Sequence, residues 1–597
     1  MMSELRKLGY ILGSGNRVKL AVIFCLLLVG GGLEMIGIGL FLPFLQLMIN
    51  PAKLASLPYF GPYLTFTLER NPADLVLPAC FLMLGFYVVK NIFLAWLNWI
   101  NFRFVFASEA RLQIRLLSAY FRVPFELIAR RNSAELIRTA YVSTKVICQG
   151  IVMSVLGLVM EGILAAAAVL TLFLIEPIGA LTVAALMLAL VGMLYFPLRR
   201  FMTRWGQQIQ LTAAELLKSL QQSVGIQKEA RVAGREAHFI SDFARISHLI
   251  AGAYTKLLTT QQLPRFVAEV VVLAALLAYL LIAASRPGNV GEALPVLGLF
   301  GAASLRLLPS ANRIIMHLGN IRQGKSAIDL VYGDLAAASE SSAPNKRPAG
   351  EASFNRELRL TDISYRYPHA GDDALKQVNL VFPKGSAVAL VGSSGAGKST
   401  LADLLLGLLP PCAGGLYIDG QPLVVDNPEW RKRLGYVPQH IFLLDDTIRR
   451  NIAFGQEESD IDDQAIQRAV VMAGLGKVVE DLPQGLDTLI GERGSRLSGG
   501  QRQRIGIARA LYHQPDIIVF DEATSALDGG TERDIVDAIE SLRGKITLVV
   551  IAHRMSTVMN CDLLVHMENG RVIDQGTYGE LASRSAAFQK LAALDVA

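Results

Sequence analysis

The 597-residue sequence predicts an α-helical membrane half followed by an α/β half that lies in water. Hydrophobic residues make up 52% of the chain and charged residues only 18%, and the mean hydropathy is +0.40. Soluble globular proteins carry about 25% charged residues, so part of this chain must avoid water. The long apolar runs all precede residue 335, whereas short β-type runs alternate with helical ones after residue 358.

Composition excludes several classes of protein. This hydrophobicity excludes a disordered chain. Five cysteines without CxxC spacing exclude a disulfide scaffold and indicate buried or incidental thiols in a reducing compartment; they are Cys25, Cys80, Cys148, Cys412 and Cys561. The net charge is +6, and the excess basic residues lie between apolar runs. This position favours a role in orienting the chain in the membrane and gives no argument for binding nucleic acid.

Six apolar segments are long enough to cross a bilayer, which takes about 20 residues in a helix. They lie at about 18–49, 75–100, 147–175, 178–197, 266–285 and 290–318. Several exceed the required length and are expected to project beyond the membrane. The first is too long for a signal peptide and shows no small-residue cleavage site.

The distribution of Lys and Arg predicts the orientation of the spans. The stretch 103–145 holds eight such residues and the stretch 199–265 holds ten, whereas the other loops hold few. The basic loops and both termini are therefore expected in the cytoplasm. The segment 51–66 is expected outside, where its four aromatic residues suit either a membrane interface or an ordinary loop.

Residues 336–357 are small, polar and Pro-bearing, which is typical of a linker. We therefore divide the chain into a membrane domain at 1–335, a linker at 336–357 and an α/β domain at 358–597.

A phosphate-binding loop opens the α/β domain. Residues 392–399, GSSGAGKS, fit GxxxxGK[ST] between a strand-like and a helix-like segment, as this motif requires. Backbone N–H groups and the helix N-terminus would face the phosphates. Lys398 would reach the β- and γ-phosphates, and Ser399 would hold Mg²⁺.

About 120 residues later, the apolar run 517–520 is followed by two carboxylates, Asp521 and Glu522. Asp521 is suited to the Mg²⁺ shell, and Glu522 is placed to polarise the attacking water.

The run Leu497-Ser-Gly-Gly-Gln501 matches letter for letter the signature of the ATP-binding-cassette (ABC) ATPases, and the resemblance covers about 358–590. Four further residues match the family in order. Tyr367 stands where an aromatic stacks on adenine, and Gln439 where a residue links the γ-phosphate site to the membrane part. Asp528 belongs to SALD, which matches the loop that couples opposed sites, and His553 in IAHR matches the histidine at the γ-phosphate. Residues 491–494 resemble the segment that touches the membrane half in exporters. Taken singly, Tyr367 or His553 could be structural.

The resemblance implies the cofactors ATP and Mg²⁺ and the following site. The catalytic residues are Glu522, His553 and Gln439, and Mg²⁺ is held by Ser399, Gln439 and Asp521. Nucleotide is bound by Tyr367, Gly392, Ser393, Ser394, Gly395, Ala396, Gly397, Lys398, Ser399, Thr400, Asp521, Ser498, Gly499, Gly500, Gln501 and Asp528. In this family the signature of one copy completes the site of another, so the resemblance implies a homodimer with two equivalent sites.

Spans fused to a cassette resemble the exporter branch of ABC transporters, whose fold places a six-helix membrane domain before the nucleotide-binding domain. Two cytoplasmic stretches, 123–132 and 225–236, resemble coupling helices, although a generic amphipathic loop would look similar.

Charges inside membrane spans are costly and are therefore functional candidates. They are Glu34, Lys90, Glu161, Arg265, Glu269, Arg306 and Arg313. Arg306 and Arg313 are seven residues apart and share one helix face. Basic groups facing one cavity would suit a phosphate-bearing substrate; the alternative is internal pairing, for instance with Glu161 or Glu269.

The segments 33–44, 264–269 and 306–315 look like parts of PglK-type flippases. That resemblance implies movement of a lipid-pyrophosphate-linked oligosaccharide from the inner to the outer leaflet of a bacterial inner membrane, for glycosylation. It assigns Lys90, Arg265, Arg306 and Arg313 to the pyrophosphate, with Lys90 standing where an arginine is expected. Two alternatives stay open: export of another amphiphile, such as a lipid, drug or peptide, and a membrane-anchored ATPase that regulates a partner. The spans exclude a soluble cassette acting on DNA or ribosomes.

Overall fold

The computed structural model describes residues 2–40, 44, 47, 73–129, 131–175, 177–284, 307, 309–341, 353–368, 370–424, 427–522, 529–552 and 558–594. The chain forms two compact units. The membrane unit comprises Met1–Val123 and Arg130–Ala343, and the cassette unit comprises Pro344–Ala597 together with Pro124–Ala129. We call Pro124–Ala129 the inserted segment, because it is grouped with the cassette although the chain on both sides of it belongs to the membrane unit.

The described part of the membrane unit is helical. Its elements are Met2–Leu12, Ser14–Asn16, Arg17–Gly39, Ala73–Arg122, Ser133–Ile137, Arg138–Ser143, Val146–Val152, Met153–Ile175, Pro177–Gly225, Gln227–Val232, Glu236–Ala284, 309–323 and Lys325–Ser341. In a bilayer the backbone must satisfy its own hydrogen bonds, which helices do within one segment. The helices of about 50 residues are longer than a bilayer requires, as the extended apolar segments and basic loops predicted.

Among the described residues, three helical stretches are long and apolar enough to cross a membrane: Val18–Gly39, Val76–Arg122 and Ser133–Leu174. The predicted fourth and fifth spans fall within two further helices, Pro177–Gly225 and Glu236–Ala284. Most of the sixth, 290–318, and the whole external segment 51–66 lie outside the described residues. The helical half is therefore confirmed, and the count of six spans stays a prediction.

The predicted linker begins too early. The helix Lys325–Ser341 runs through its first six residues, and the first strand begins at its last residue, Glu357. Alanine has the highest helix propensity of all residues, and the three alanines at 336–338 extend the preceding helix where a linker was expected. Residues 342–352 are not described.

The membrane unit has a continuous apolar core at the end that carries the basic loops. Leu116 and Val105 of the helix Ala73–Arg122 are buried against Ile147 and Val331. Elsewhere, Gly157 allows close helix packing, because a Cβ there would lie 2.3 Å from Nε2 of His317. Several long helices are thus held together by side-chain packing.

The cassette contains two sheets. The four-stranded antiparallel sheet has the order β2-β1-β4-β5, and the six-stranded sheet has the order β10-β9-β3-β8-β7-β6, parallel except for β10. The strands are β1 (Glu357–Tyr365), β2 (Leu375–Pro383), β3 (Ala387–Val391), β4 (Ala413–Ile418), β5 (Gln421–Leu423), β6 (Leu434–Val437), β7 (Ile517–Asp521), β8 (Thr547–Ile551), β9 (Leu563–Glu568) and β10 (Arg571–Gly576).

The cassette also contains nine described α-helices: Lys398–Leu405, Pro428–Lys432, Ile448–Ile452, Asp463–Met472, Gly476–Glu480, Gly499–Tyr512, Gly529–Leu542, Tyr578–Arg584 and Ala586–Leu594. Strand β3 is buried on both faces. Ala389 belongs to one hydrophobic core and Leu390 to the other, because successive side chains of a strand point to opposite faces. The phosphate-binding loop therefore leaves the sheet from a rigid central strand.

Candidate nucleotide site and membrane charges

The phosphate-binding loop connects β3 to the helix Lys398–Leu405. Three of its glycines have positive φ: 150° at Gly392, 81° at Gly395 and 102° at Gly397. A Cβ at Gly392 would lie 2.2 Å from the carbonyl oxygen of Met567, and one at Gly397 would lie 2.9 Å from that of Ala374. The loop thus needs glycine for conformation and for space, and it presents backbone N–H groups at a helix N-terminus, where anions bind.

Lys398 is folded back over this loop. Its Nζ donates to the carbonyl oxygens of Gly392 at 2.7 Å and Ser393 at 2.9 Å. Burial lowers the pKa of Lys398, and the carboxylates of Glu522 and Asp521 oppose that shift. The ammonium group is therefore desolvated and close to both predicted acidic residues, as a group that neutralises phosphate must be.

Tyr367 is half-buried beside the same helix. Its hydroxyl lies 3.1 Å from Oγ1 of Thr400, and its ring packs edge-on against Tyr365 with centroids 5.0 Å apart. The structure thus brings together two residues that sequence reasoning assigned to nucleotide binding. The stacking role of Tyr367 stays a prediction.

The predicted acidic pair ends β7. Nε2 of Gln439 donates to Oε2 of Glu522 at 2.5 Å, so two of the three predicted catalytic residues are in contact. Glu522 has φ of 48°, a left-handed conformation that non-glycine residues seldom adopt, while its N–H remains bonded to the carbonyl of Ile551. Such local strain is often found at functional sites. The third residue, His553, lies outside the described residues, as does Asp528.

Sequence reasoning missed two residues near Asp521. Tyr436 of β6 donates its hydroxyl to Oδ2 of Asp521 at a long 3.5 Å. The second is Asp403. Its burial, and to a smaller extent the negative charge of Asp521, raise the pKa of its carboxyl group to about 6. Asp403 follows Ser399 by four residues on a helix, and this spacing was a usable signal. The Tyr436 contact depends on β6 pairing with β7, which no local pattern indicates.

The signature forms the start of the helix Gly499–Tyr512. The backbone N–H of Gln501 donates to Oγ of Ser498, and the N–H of Ser498 donates to Oε1 of Gln501, which is a capping box. Ser498 and Gly499 are exposed, and Gly500 is buried. An exposed helix N-terminus with a serine cap is chemically suited to a phosphate group.

The inserted segment contains the short helix Phe125–Ala129. Burial raises the pKa of Tyr365, and the nearby Glu126 carboxylate raises it further. Glu126, which belongs to the predicted coupling stretch 123–132, therefore lies close to Tyr365 at the end of β1. The other stretch, 225–236, forms the helix Gln227–Val232. Coupling through either stays a prediction.

Each basic span residue that the structure describes lies beside a carboxylate. Nζ of Lys90 is 3.1 Å from Oε2 of Glu34, with both side chains nearly inaccessible, and 4.3 Å from the centroid of the Tyr87 ring. Tyr87 in turn donates to the carbonyl of Gly37. Lys90 therefore joins the first and second predicted spans.

Arg313 pairs with Glu161, at 2.5 Å between Nε and Oε1, and Ser310 donates to the same carboxylate at 2.6 Å. The Arg313 side chain keeps 38% of its exposure, against 7% for Lys90. Arg265 pairs with Glu269 one turn away, and both side chains are more than half exposed. Arg306 lies outside the described residues. Internal pairing, the alternative drawn from the sequence, is thus present at all three described positions.

Comparison with known proteins extends these findings. Residues 375–525 match the family model described as ABC transporter. The chain is 31% identical over 493 residues to the ATP-dependent lipid A-core flippase of Cupriavidus metallidurans, covering 81% of each chain. It is 34% identical over 391 residues to the protein so named in Chromobacterium violaceum, covering 65% of this chain and 66% of that one.

A solved structure shares the whole fold. It is described as a bacterial Atm1-family ABC exporter with ATP bound, and it superposes with a TM-score of 0.80 over 98% of this chain and 100% of its own, at 23% identity. The order of a helical membrane domain and an α/β cassette is therefore confirmed as that of the ABC exporter fold.

Proposed function

The chain belongs to the ABC transporter family and is an ATP-hydrolysing translocase, and from this premise we propose that it flips an anionic, sugar-bearing lipid across the bacterial inner membrane. The observation that carries the proposal is similarity over 81% of the chain, beyond the cassette, to a protein named as a lipid A-core flippase. The cassette supplies energy in many transporters, whereas the membrane half selects the substrate.

Two substrates share this chemistry. One is the polyprenyl-pyrophosphate-linked oligosaccharide that the resemblance to PglK-type flippases implies. The other is a lipid A-type glycolipid, which the names of the relatives favour. Both combine apolar chains, phosphate and sugar, so they would make similar demands on a cavity with basic groups.

We further propose that Mg²⁺ is held by Ser399, Asp521 and Gln439. Within the described residues, no three His, Cys, Asp or Glu side chains cluster as a metal site. The ion would therefore depend on one carboxylate with hydroxyl and amide oxygens, which are ligands that Mg²⁺ accepts. Bound there, Mg²⁺ would neutralise charge on the transferred phosphoryl group.

A homodimer is part of the proposal. Ser498 and Gly499 are exposed at a capped helix N-terminus, as they must be to meet nucleotide bound by a second copy. The full-length Glu522→Gln variant should then elute as a dimer, and elution as a monomer both with and without ATP would contradict this arrangement.

Among the basic residues, the geometry favours Arg313 as the headgroup contact. A guanidinium has five N–H donors, and Arg313 is the more exposed partner of its ion pair. We expect Arg313→Ala to reduce transport more than basal ATPase activity, because the residue is not part of the nucleotide site. Equal loss of both activities would instead indicate a folding role.

The test is ATP-dependent movement of labelled lipid in proteoliposomes. A polyprenyl-pyrophosphate oligosaccharide and a lipid A-type glycolipid are compared, with Glu522→Gln as the inactive control. The proposal is supported if the wild type moves one of the two lipids and the Glu522→Gln control moves neither. The lipid that moves is then the substrate. If neither lipid moves and no amphiphile changes the ATPase activity, the result would favour a membrane-anchored ATPase that regulates a partner.

A further inference from the structure

A single buried carboxylate joins three segments of the membrane unit. Asp334 lies on the helix Lys325–Ser341 and is 9% exposed. The hydroxyl of Tyr120 donates to its Oδ2 at 2.7 Å, and Nη1 of Arg131 donates to its Oδ1 at 2.6 Å. Both carboxylate oxygens are thus engaged by side chains more than 200 positions away in sequence.

The two donors flank the inserted segment. Tyr120 lies four residues before Pro124, near the end of the helix Ala73–Arg122, and Arg131 lies two residues after Ala129. The side chain of Asn132 accepts a hydrogen bond from the N–H of Ala134 and so caps the helix Ser133–Ile137. This cap fixes the start of the helix directly after Arg131. One carboxylate therefore holds the chain on both sides of the inserted segment.

Asp334 is also close in sequence to the remaining connection between the units. The chain passes from one unit to the other at 123/124, 129/130 and 343/344. Tyr120, Arg131 and Asp334 lie on the membrane-unit side of these three crossings, and hydrogen bonds join all of them.

We propose that Asp334 is a positioning residue for energy coupling, which makes the three chain crossings move as one body when the cassette changes state. The residue is remote from the reacting phosphates, so it acts through Tyr120 and Arg131. The inference concerns the coupling of ATP hydrolysis to the membrane helices and does not depend on which lipid is carried.

The chemistry suggests a nearly isosteric test. Asparagine preserves the shape of Asp334 but has a single acceptor oxygen, and its amide nitrogen donates, so the side chain cannot accept from both Tyr120 and Arg131. It also removes the charge that strengthens the Arg131 bond. Arg131→Gln and Tyr120→Phe each remove one of the two contacts and leave Asp334 in place.

The same helix offers a matched control. Asp329 pairs with Lys7 of the helix Met2–Leu12, and its side chain is 47% exposed. Asp329→Asn removes the same charge from the same helix by the same substitution. Unlike Asp334, it is paired with a residue far from the inserted segment in the sequence.

The experiment uses full-length protein in lipid nanodiscs. ATPase rates are measured alongside hydrogen–deuterium exchange without nucleotide and after trapping with ATP and vanadate. For Asp334→Asn we expect ATPase activity within twofold of wild type, while the nucleotide-dependent exchange difference falls at least threefold in peptides from Ala73–Arg122 and Met153–Ile175, the helices on either side of the inserted segment. Arg131→Gln and Tyr120→Phe should show smaller falls, and Asp329→Asn none.

The proposal is overturned if Asp334→Asn transmits the exchange difference normally, or if Asp329→Asn loses it equally. A parallel fall of ATPase activity and thermal stability would make Asp334 a structural residue, which also overturns the proposal. If Asp334→Asn does not fold, Arg131→Gln and Tyr120→Phe decide by the same criteria. Because the readout contains no lipid substrate, failure of the flippase proposal would leave it unaffected.

Discussion

Replacing Lys90 with alanine should destabilise the protein strongly, and removing Glu34 as well should restore most of the loss. The two side chains form an ion pair at 3.1 Å, and each is less than one-tenth exposed. Lys90→Ala leaves a carboxylate without its partner in a place that water scarcely reaches. Breaking a buried pair in this way costs about 3–5 kcal/mol in soluble proteins.

A second route bounds the magnitude. The orphaned carboxylate can escape its charge by binding a proton, and neutralising an ordinary glutamate at pH 7 costs about 4 kcal/mol. The lost contact between Lys90 and the Tyr87 ring adds about 1 kcal/mol. We therefore expect a loss of about 3–5 kcal/mol for Lys90→Ala.

The double variant Lys90→Met with Glu34→Leu removes both charges and keeps the volume. Replacing a buried pair by apolar side chains is often neutral or stabilising, so its stability should lie within about 1 kcal/mol of wild type. SDS-titrated unfolding in mixed micelles of wild type, Lys90→Met, Glu34→Leu and the double variant measures the four corners of this cycle. Arg265→Ala is the control, because its exposed pair one turn away should contribute only about 0.3–0.5 kcal/mol.

Transport by the double variant separates two roles for Lys90. If Lys90 only balances Glu34, the stable double variant keeps transporting. If Lys90 binds the headgroup, transport falls although stability has recovered. A single Lys90→Ala variant that is as stable as wild type would refute the electrostatic reasoning itself.

Three further outcomes follow from the cassette. Glu522→Gln should abolish ATP turnover while ATP binding survives, which phosphate release and fluorescent-nucleotide titration would show; normal turnover would remove Glu522 as the base. Gly397→Ala should weaken nucleotide binding at least tenfold, because the added Cβ would clash with the Ala374 carbonyl and because the backbone φ of 102° disfavours alanine. The control Gly579→Ala, which places its Cβ in open space, should bind nucleotide normally. Asn451→Ala should lower the stability of the cassette by about 2–3 kcal/mol in thermal unfolding, because this fully buried side chain makes four hydrogen bonds; an unchanged transition would contradict that estimate.

The geometry of the phosphate-binding loop was predictable because its parts are local. A phosphate-binding loop is a contiguous strand, turn and helix, so Gly392 and Lys398 carry their geometry in neighbouring residues. The capping box at Ser498 and Gln501 is equally local. By contrast, the approach of Tyr436 to Asp521 depends on the order of strands in a sheet, and 85 residues separate the two. Periodicity indicates which face of a strand is buried, but not which strand lies beside it.

The start of the predicted linker was wrong for a related reason. Its composition described residues 336–357 correctly as small and polar, yet alanine is both a small residue and the best helix former. The preceding helix supplied a nucleus, and adding residues to an existing helix is far easier than starting one. Local composition alone could not tell where that extension would stop.

The membrane charges show what a list of charged residues leaves undetermined. The sequence identifies Glu34, Lys90, Glu161 and Arg313 as costly in a bilayer, but pairing depends on how each helix is rotated and which helix it meets. The structure separates the two pairs by exposure. The Lys90–Glu34 pair is closed to water, so exchanging its carboxylate for a phosphate would require the helices to part. Arg313 is partly open, and a headgroup could bind its remaining donors without first separating it from Glu161. A carboxylate that already balances the arginine also weakens its hold on an anionic lipid, which favours release, and a flippase must release its substrate as well as bind it.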